Sequence, residues 1–251
     1  TPHTDVDVVF GVLTGYPCCT CNMHQGWPKF TQNLWYATDD NGLAAMVFAP
    51  SSVKAIVADG VEVEVKEETF YPFDENIKLT LNFTDKKVKE AFFPLKFRIP
   101  GWCDAPNVKI NGEVVDQTMT PGCMVALRRT WKKGDVVTIE LPMEVKRSTW
   151  YDNSVAIERG PLLYALKLEE KWERKEIEPE SVVAYGSYYY EVTTPSKWNY
   201  CLTRASLKKE NFPASFELVR RDTDRTKYPW NLENAPLVLK VTARELKDWA
   251  E

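Results

Sequence analysis

The chain has 251 residues with 32 Lys+Arg against 36 Asp+Glu, a formal net charge of −4, and 44% apolar and 27% charged residues. That composition supports a buried core and argues against disorder. The near balance of charge gives no basic face for nucleic acid, and no apolar run approaches the roughly 18 residues of a membrane helix, so neither partner is expected. Two features are less ordinary: nine Trp accompany only two His, and three of the six Cys fall at positions 18, 19 and 21. The first residue is Thr1, which suggests processing or excision from something longer.

In chain order, residues 1–21 read as a loop, with Pro2, Gly11, Gly15 and Pro17 around the apolar stretch Val8 to Leu13. Trp27, Phe30, Leu34 and Ala37 then recur at helical spacing, and Pro28 suits a first turn. This predicts a helix over roughly 28–37, closed by Asp39-Asp40-Asn41-Gly42, whose Trp27/Phe30/Leu34 stripe needs something to pack against. After Gly42 the pattern turns to β. Leu43–Phe48, Ala55–Val57, Val61–Val65, Lys78–Phe83 and Leu95–Ile99 are strand-length runs. Val108–Ile110 and Glu113–Val115 flank Asn111-Gly112, a strong hairpin signal. Met124–Arg128 and Val136–Leu141 flank Lys132-Lys133-Gly134-Asp135, and Val155–Glu158 and Leu162–Lys167 flank Arg159-Gly160-Pro161. Short strands joined by turns without helical crossovers predict an antiparallel, jelly-roll-like β-sandwich. The charge run 169–180 reads as a solvated linker. Val182–Val192, Trp198–Leu202 and Pro236–Thr242 then predict a second, smaller β region.

The chemistry-bearing segment is Pro17-Cys18-Cys19-Thr20-Cys21-Asn22-Met23-His24, which crowds four soft or borderline metal ligands into seven residues. Three readings stand side by side. A self-contained zinc site is awkward, because neighbouring side chains diverge and vicinal cysteines rarely both reach one metal. A half-site would use two thiolates here and ligands from another segment. A cluster of buried structural thiols needs no metal at all. Cys103 and Cys123 flank a hairpin-like stretch, and read either as a disulfide or as two small half-buried residues.

The stretch Phe10-Gly11-Val12-Leu13-Thr14-Gly15-Tyr16-Pro17-Cys18-Cys19-Thr20-Cys21-Asn22 resembles glycoside hydrolase family 127, the β-L-arabinofuranosidase-like proteins, with relatives in family 146. Asn41-Gly42-Leu43, Phe48-Ala49-Pro50-Ser51, Ile110-Asn111-Gly112-Glu113, Trp131-Lys132-Lys133-Gly134-Asp135, Leu141-Pro142-Met143 and Arg159-Gly160-Pro161-Leu162-Leu163-Tyr164 extend the likeness to about residue 170. The resemblance implies an (α/α)6 barrel carrying the active site, followed by β-sandwich domains. It implies Cys18 as nucleophile, and Cys18 and Cys19 as zinc ligands completed by a glutamate and a cysteine from earlier in the barrel. The implied substrate is an L-arabinofuranoside of plant cell-wall glycans, cleaved with retention. It gives no role to Cys21, leaves His24 as a residue near the site, and leaves Asn22 as part of the signature.

Nothing in the chain resembles the rest of that barrel, including its acid/base glutamate. Glu62, Glu64, Glu67 and Glu68 read as solvent-facing alternation on a hairpin and do not fill the gap. The expectation is therefore the end of the barrel with the Cys-Cys motif over 1–38, a sandwich over 39–170 and a smaller β region over 171–251. Its expected partners are a carbohydrate and the missing helical barrel, and alone it is expected to be inactive. The alternative is a non-catalytic carbohydrate-binding module, with Trp198, Trp230, Trp249 and the Tyr188–Tyr190 run as stacking candidates. Trp102, Trp131 and Trp150 are assigned instead to packing the sandwich.

Overall fold

The computed structural model describes residue 22 and residues 24–151, 154–178 and 187–247. These divide into two compact units, one from the described residues of Thr1–Gln32, Leu166–Cys201 and Ala243–Glu251, the other from Asn33–Ala165 and Leu202–Thr242.

The larger unit is a β-sandwich. One sheet has the order β3 (Ser51–Val57), β4 (Val61–Thr69), β5 (Asn76–Phe83), β10 (Val136–Glu140), β7 (Asn107–Ile110) and β8 (Glu113–Val114). The other has the order β1 (Trp35–Ala37), β2 (Leu43–Ala45), β6 (Glu90–Arg98) and β9 (Met124–Lys132). Alternation makes the core: Val63 and Val65 on β4, Ile77, Leu79 and Leu81 on β5, and Phe93, Leu95 and Phe97 on β6 merge in one cluster with Trp131, Val137 and Ile139. Pairing in the two sheets is antiparallel except where β2 runs parallel to β6, with Leu43 opposite Leu95. At the β7–β8 hairpin, Asn111 and Gly112 both take positive φ, 52° and 89°, as the turn requires.

After the sandwich, β11 (Val145–Thr149), β12 (Val155–Arg159) and β13 (Leu162–Tyr164) form a three-stranded sheet, and β17 (Phe216–Arg220) pairs with β18 (Leu237–Val241). Phe73, Leu162 and Leu237 make a second, small core joined by Phe70, Tyr164 and Leu218. The Arg159-Gly160-Pro161 turn is built for closeness. Gly160 has φ +58°, and a Cβ there would lie 2.5 Å from Met143 Sδ.

The mainly β reading holds, with local corrections. The helix predicted over 28–37 is only Gly26–Gln32 (α1), and none of its residues is buried. Trp35-Tyr36-Ala37 instead pair with Leu43–Ala45, because extended backbone suits these aromatics and Thr38–Gly42 closes a hairpin. Thr38 N–H donates to the Gly42 carbonyl at 3.1 Å, and Gly42 N–H donates to Thr38 Oγ1 at 3.1 Å. Leu34 is buried while Trp27 and Phe30 are exposed, so the three do not form one stripe. A Cβ on Gly42 would lie 2.3 Å from the Pro94 carbonyl oxygen. Gly42→Ala is expected to cost about 1–3 kcal/mol through overpacking of this turn, measured by urea unfolding.

The smaller unit holds α1, the ribbon of β14 (Lys171–Glu176) with β15 (Tyr188–Thr193), and the pair of β16 (Tyr200–Leu202) with β19 (Ala243–Glu245). Within the charge run read as a linker, residues 171–176 thus form a strand. Its residues are indeed solvated, but Lys175 Nζ pairs with Glu173 at 2.7 Å and reaches cross-strand Glu191 at 3.6 Å, so the charges sit in register rather than in coil.

Candidate functional site

Cys18, Cys19 and Cys21 lie outside the described residues. Asn22 is described at the approach to α1, where its carbonyl accepts from Gln25 N–H at 3.0 Å and its Oδ1 accepts from Gln25 Nε2 at 3.0 Å. His24 is exposed in the same turn. Trp27 and Phe30 follow on α1, stacked edge to face with centroids 6.1 Å apart. Among the described residues no three His, Cys, Asp or Glu side chains come together as a metal site. Cys103 is buried and Cys123 exposed, and both are free thiols.

Glu67 departs from the solvent-facing alternation expected of it. On β4 the odd positions face inward, and Glu67 follows Val63 and Val65 into the interior, 2% exposed. Its Oε1 accepts from Ala49 N–H at 3.0 Å and its Oε2 from the Ser51 hydroxyl at 3.2 Å. Ser51 Oγ in turn accepts from the Trp35 indole N–H at 3.0 Å. An open groove of about 660 Å³ lies beside this network, lined by polar side chains including Ser52, Glu64, Lys66, Glu68 and Asn82. Both Glu67 oxygens are engaged and hardly any of the residue meets solvent, so the geometry is that of a buried brace for the β3–β4 edge.

Burial pushes the Glu67 carboxyl up to about 7 from an ordinary 4.5, while the Ser51 and Ala49 hydrogen bonds pull the other way. Between those two values the native chain holds a proton that the unfolded chain has released. Stability is therefore greatest below the unfolded value and falls as pH rises through the window, levelling off above the folded value. Glu67→Gln keeps an acceptor for Ala49 and removes the charge. It is expected to flatten this fall and raise stability at pH 8 by about 1–3 kcal/mol over the native chain, read from urea midpoints at pH 5 and pH 8.

The aromatic residues divide differently from expectation. Trp131 is fully buried and Trp102 packs partly buried against the core, but Trp150 is 66% exposed. Its strand, β11, ends at Thr149, and Trp150 stands at the hairpin end, where its backbone N–H bonds the Ser154 carbonyl. It overhangs a cleft of about 330 Å³ on the β11–β12–β13 sheet. On the ribbon, Trp172, Arg174, Tyr188 and Tyr190 share one face. Trp172 and Tyr190 meet at 5.8 Å, Tyr188 and Tyr190 at 5.7 Å, and the Arg174 guanidinium stacks 4.1 Å from the Tyr188 ring centre. Trp230 leans on Phe73 at 5.0 Å, and Trp249 lies outside the described residues. The strand alternation of β4 carried the signal for Glu67; nothing local to Trp150 marked it as exposed.

Residues 42–143 match the model of the β-L-arabinofuranosidase GH127 middle domain. A GH127 β-L-arabinofuranosidase from Geobacillus stearothermophilus T6 is similar over 88% of this chain, with 25% identity and a TM-score of 0.58. A solved glycoside hydrolase matches 75% of the chain with 24% identity and a TM-score of 0.51, and a GH127 β-arabinofuranosidase matches 90% with 20% identity and a TM-score of 0.52. These two likenesses speak for the fold. The matches cover 29%, 35% and 35% of the three solved chains, so this chain spans about a third of their length. No curated protein matches. Over residues 42–143 the chain is thus similar to the middle domain of glycoside hydrolase family 127.

Proposed function

We propose that the chain is the C-terminal portion of a retaining glycoside hydrolase acting on L-arabinofuranosides of plant cell-wall glycans, with Cys18 as nucleophile and Cys18 and Cys19 as two zinc ligands. The observation that carries this reading is the order of parts: a Cys-Cys-x-x-Asn signature at 18–22 runs directly into a family 127 middle domain at 42–143. The solved Geobacillus relative, an arabinofuranosidase, supports the substrate class.

The chemistry of the donors fits. Two thiolates are soft ligands of the kind zinc takes, and the other ligands are assigned to residues outside these 251. Zinc, when bound, keeps a coordinating thiol deprotonated at neutral pH. The Cys18 thiolate attacks the anomeric carbon of the arabinofuranoside and forms a thioglycosyl-enzyme as the aglycone oxygen departs with a proton from a general acid. Water activated by the same group then displaces Cys18, giving net retention. The acid/base residue is assigned outside the chain, since Glu67 is 2% exposed with both oxygens hydrogen-bonded and Glu64 and Glu68 stand on the open groove beside it.

Turnover of a chromogenic L-arabinofuranoside tests this. The 251 residues alone are expected to release no chromophore. The same chain joined to a family 127 helical barrel is expected to release it and to lose turnover on Cys18→Ala. Release by the short chain, or full turnover by C18A in the joined protein, contradicts the assignment. A non-catalytic carbohydrate-binding role is the second reading, favoured by the exposed Trp172, Tyr188 and Tyr190 on one ribbon face.

A further inference from the structure

We propose that the cleft beneath Trp150 is a sugar-binding subsite that holds one or two residues of an arabinose-containing glycan. The proposal rests on the carbohydrate reading above for the kind of sugar, and on the geometry for the site.

Trp150, Ser148 and Glu158, on one face of the β11–β12–β13 sheet, supply its polar and aromatic groups. Opposite partners Ser148 and Ala156, and Glu158 and Leu163, share that face by register, and Trp150 continues it past the end of β11. The indole is fixed in orientation: its Nε1–H donates to Ser148 Oγ at 2.8 Å, and the Ser148 hydroxyl donates to a Glu158 carboxylate oxygen at 2.6 Å. A tryptophan that is 66% exposed and yet held by a two-step relay loses little freedom on binding. The other Glu158 oxygen has no hydrogen-bond partner among the described residues and stands at the cleft wall, ready to accept from ligand hydroxyls.

The cleft, of about 330 Å³, is at the lower end of small-ligand sites. Its other walls are Ala156, Gly160, Pro161, Leu162 and Leu163, with no cation among its lining residues. An apolar floor, one flat aromatic and one carboxylate acceptor suit a neutral polyol ring. The ring's C–H face meets the electron-rich indole face, and its hydroxyls meet the carboxylate. An anionic ligand would face Glu158 in a cleft that no cation lines, the cross-strand Lys146 being paired with Asp104. At the cleft floor Gly160 has no room for a side chain against Met143.

The test uses the full chain and arabino-oligosaccharides, followed by the indole N–H resonances of its nine tryptophans. Trp150→Phe identifies the Trp150 resonance by its disappearance, and unchanged positions of the others show that the fold is kept. The expected result is a saturable shift of that resonance. Calorimetry is expected to show at least tenfold weaker binding for Trp150→Ala and about tenfold for Glu158→Gln, the loss of a stack and of a charge-assisted bond respectively. Trp172→Ala on the ribbon is expected to leave this binding unchanged. No shift with any glycan, or binding that W150A leaves intact, overturns the subsite. A shift of Trp150 with xylo- or galacto-oligosaccharides and not with arabino-oligosaccharides upholds the cleft as a sugar site and overturns its assignment to arabinose, which separates failure of the substrate reading from failure of the site.

Discussion

Trp131→Ala is expected to destabilise the sandwich by about 3–5 kcal/mol, enough to unfold a marginally stable domain at moderate temperature. Trp131 lies on β9 with no exposed surface, packs against Phe93 with ring centroids 6.1 Å apart, and donates its indole N–H to the Phe93 carbonyl at 2.9 Å across the β6–β9 pair. Removing it leaves a cavity and an abandoned acceptor together, and the two costs add. Trp131→Phe separates them. It restores much of the volume while losing the hydrogen bond, and is expected to cost about 1–2 kcal/mol. Equilibrium urea unfolding, with the slope checked to be unchanged, gives both values. Equal losses for the two variants would show that the hydrogen bond, and not packing, carries the effect.

The second large effect is at Arg159, the first residue of the Arg159-Gly160-Pro161 motif. Its guanidinium is buried and forms an ion pair with Glu75, while its other terminal nitrogen donates to Met143 Sδ at 3.5 Å. The same Glu75 oxygen accepts from the Met143 N–H at 3.2 Å, so one carboxylate ties the end of the sandwich to the sheet that follows it. Arg159→Ala is expected to cost about 3–5 kcal/mol, because it strands a carboxylate that is only partly hydrated. The double variant Arg159→Met, Glu75→Gln is expected to recover part of that loss, since replacing both members of a buried pair is far cheaper than removing one. A double variant no better than R159A, measured by thermal unfolding, would place the cost in packing against Met143 instead.

Much of this fold is legible in local chemistry. The Asn111-Gly112 turn and Gly134 at φ +85° are positions where backbone sterics leave few choices, and the strands around them follow. The misreadings share a cause: one pattern serves two structures. Trp27, Phe30 and Leu34 keep helical spacing by accident of a chain that changes state after Gln32, and only the pairing of Trp35–Ala37 with β2 reveals it. Residues 171–176 lack apolar alternation, yet form a strand because β15 supplies partners for their backbone and their charges. Glu67 shows the converse, since its parity on β4 places it inside although its chemistry points outward. For the site, the Cys18-Cys19 signature is visible only as a motif, whereas the Trp150 cleft emerges from strand register that no short window contains.

A competitive zinc titration of the 251-residue chain against a chromogenic chelator bears most directly on the proposed division of a zinc–thiolate site between this chain and a helical barrel. If Cys18 and Cys19 supply two of four zinc ligands, as proposed, the predicted result is that the chain withholds no equivalent of zinc from the chelator, while the chain joined to a family 127 barrel withholds one and loses it on Cys19→Ser. One tightly held equivalent on the short chain, abolished by Cys18→Ser or Cys19→Ser, would contradict it and make the cysteine cluster a complete site of its own.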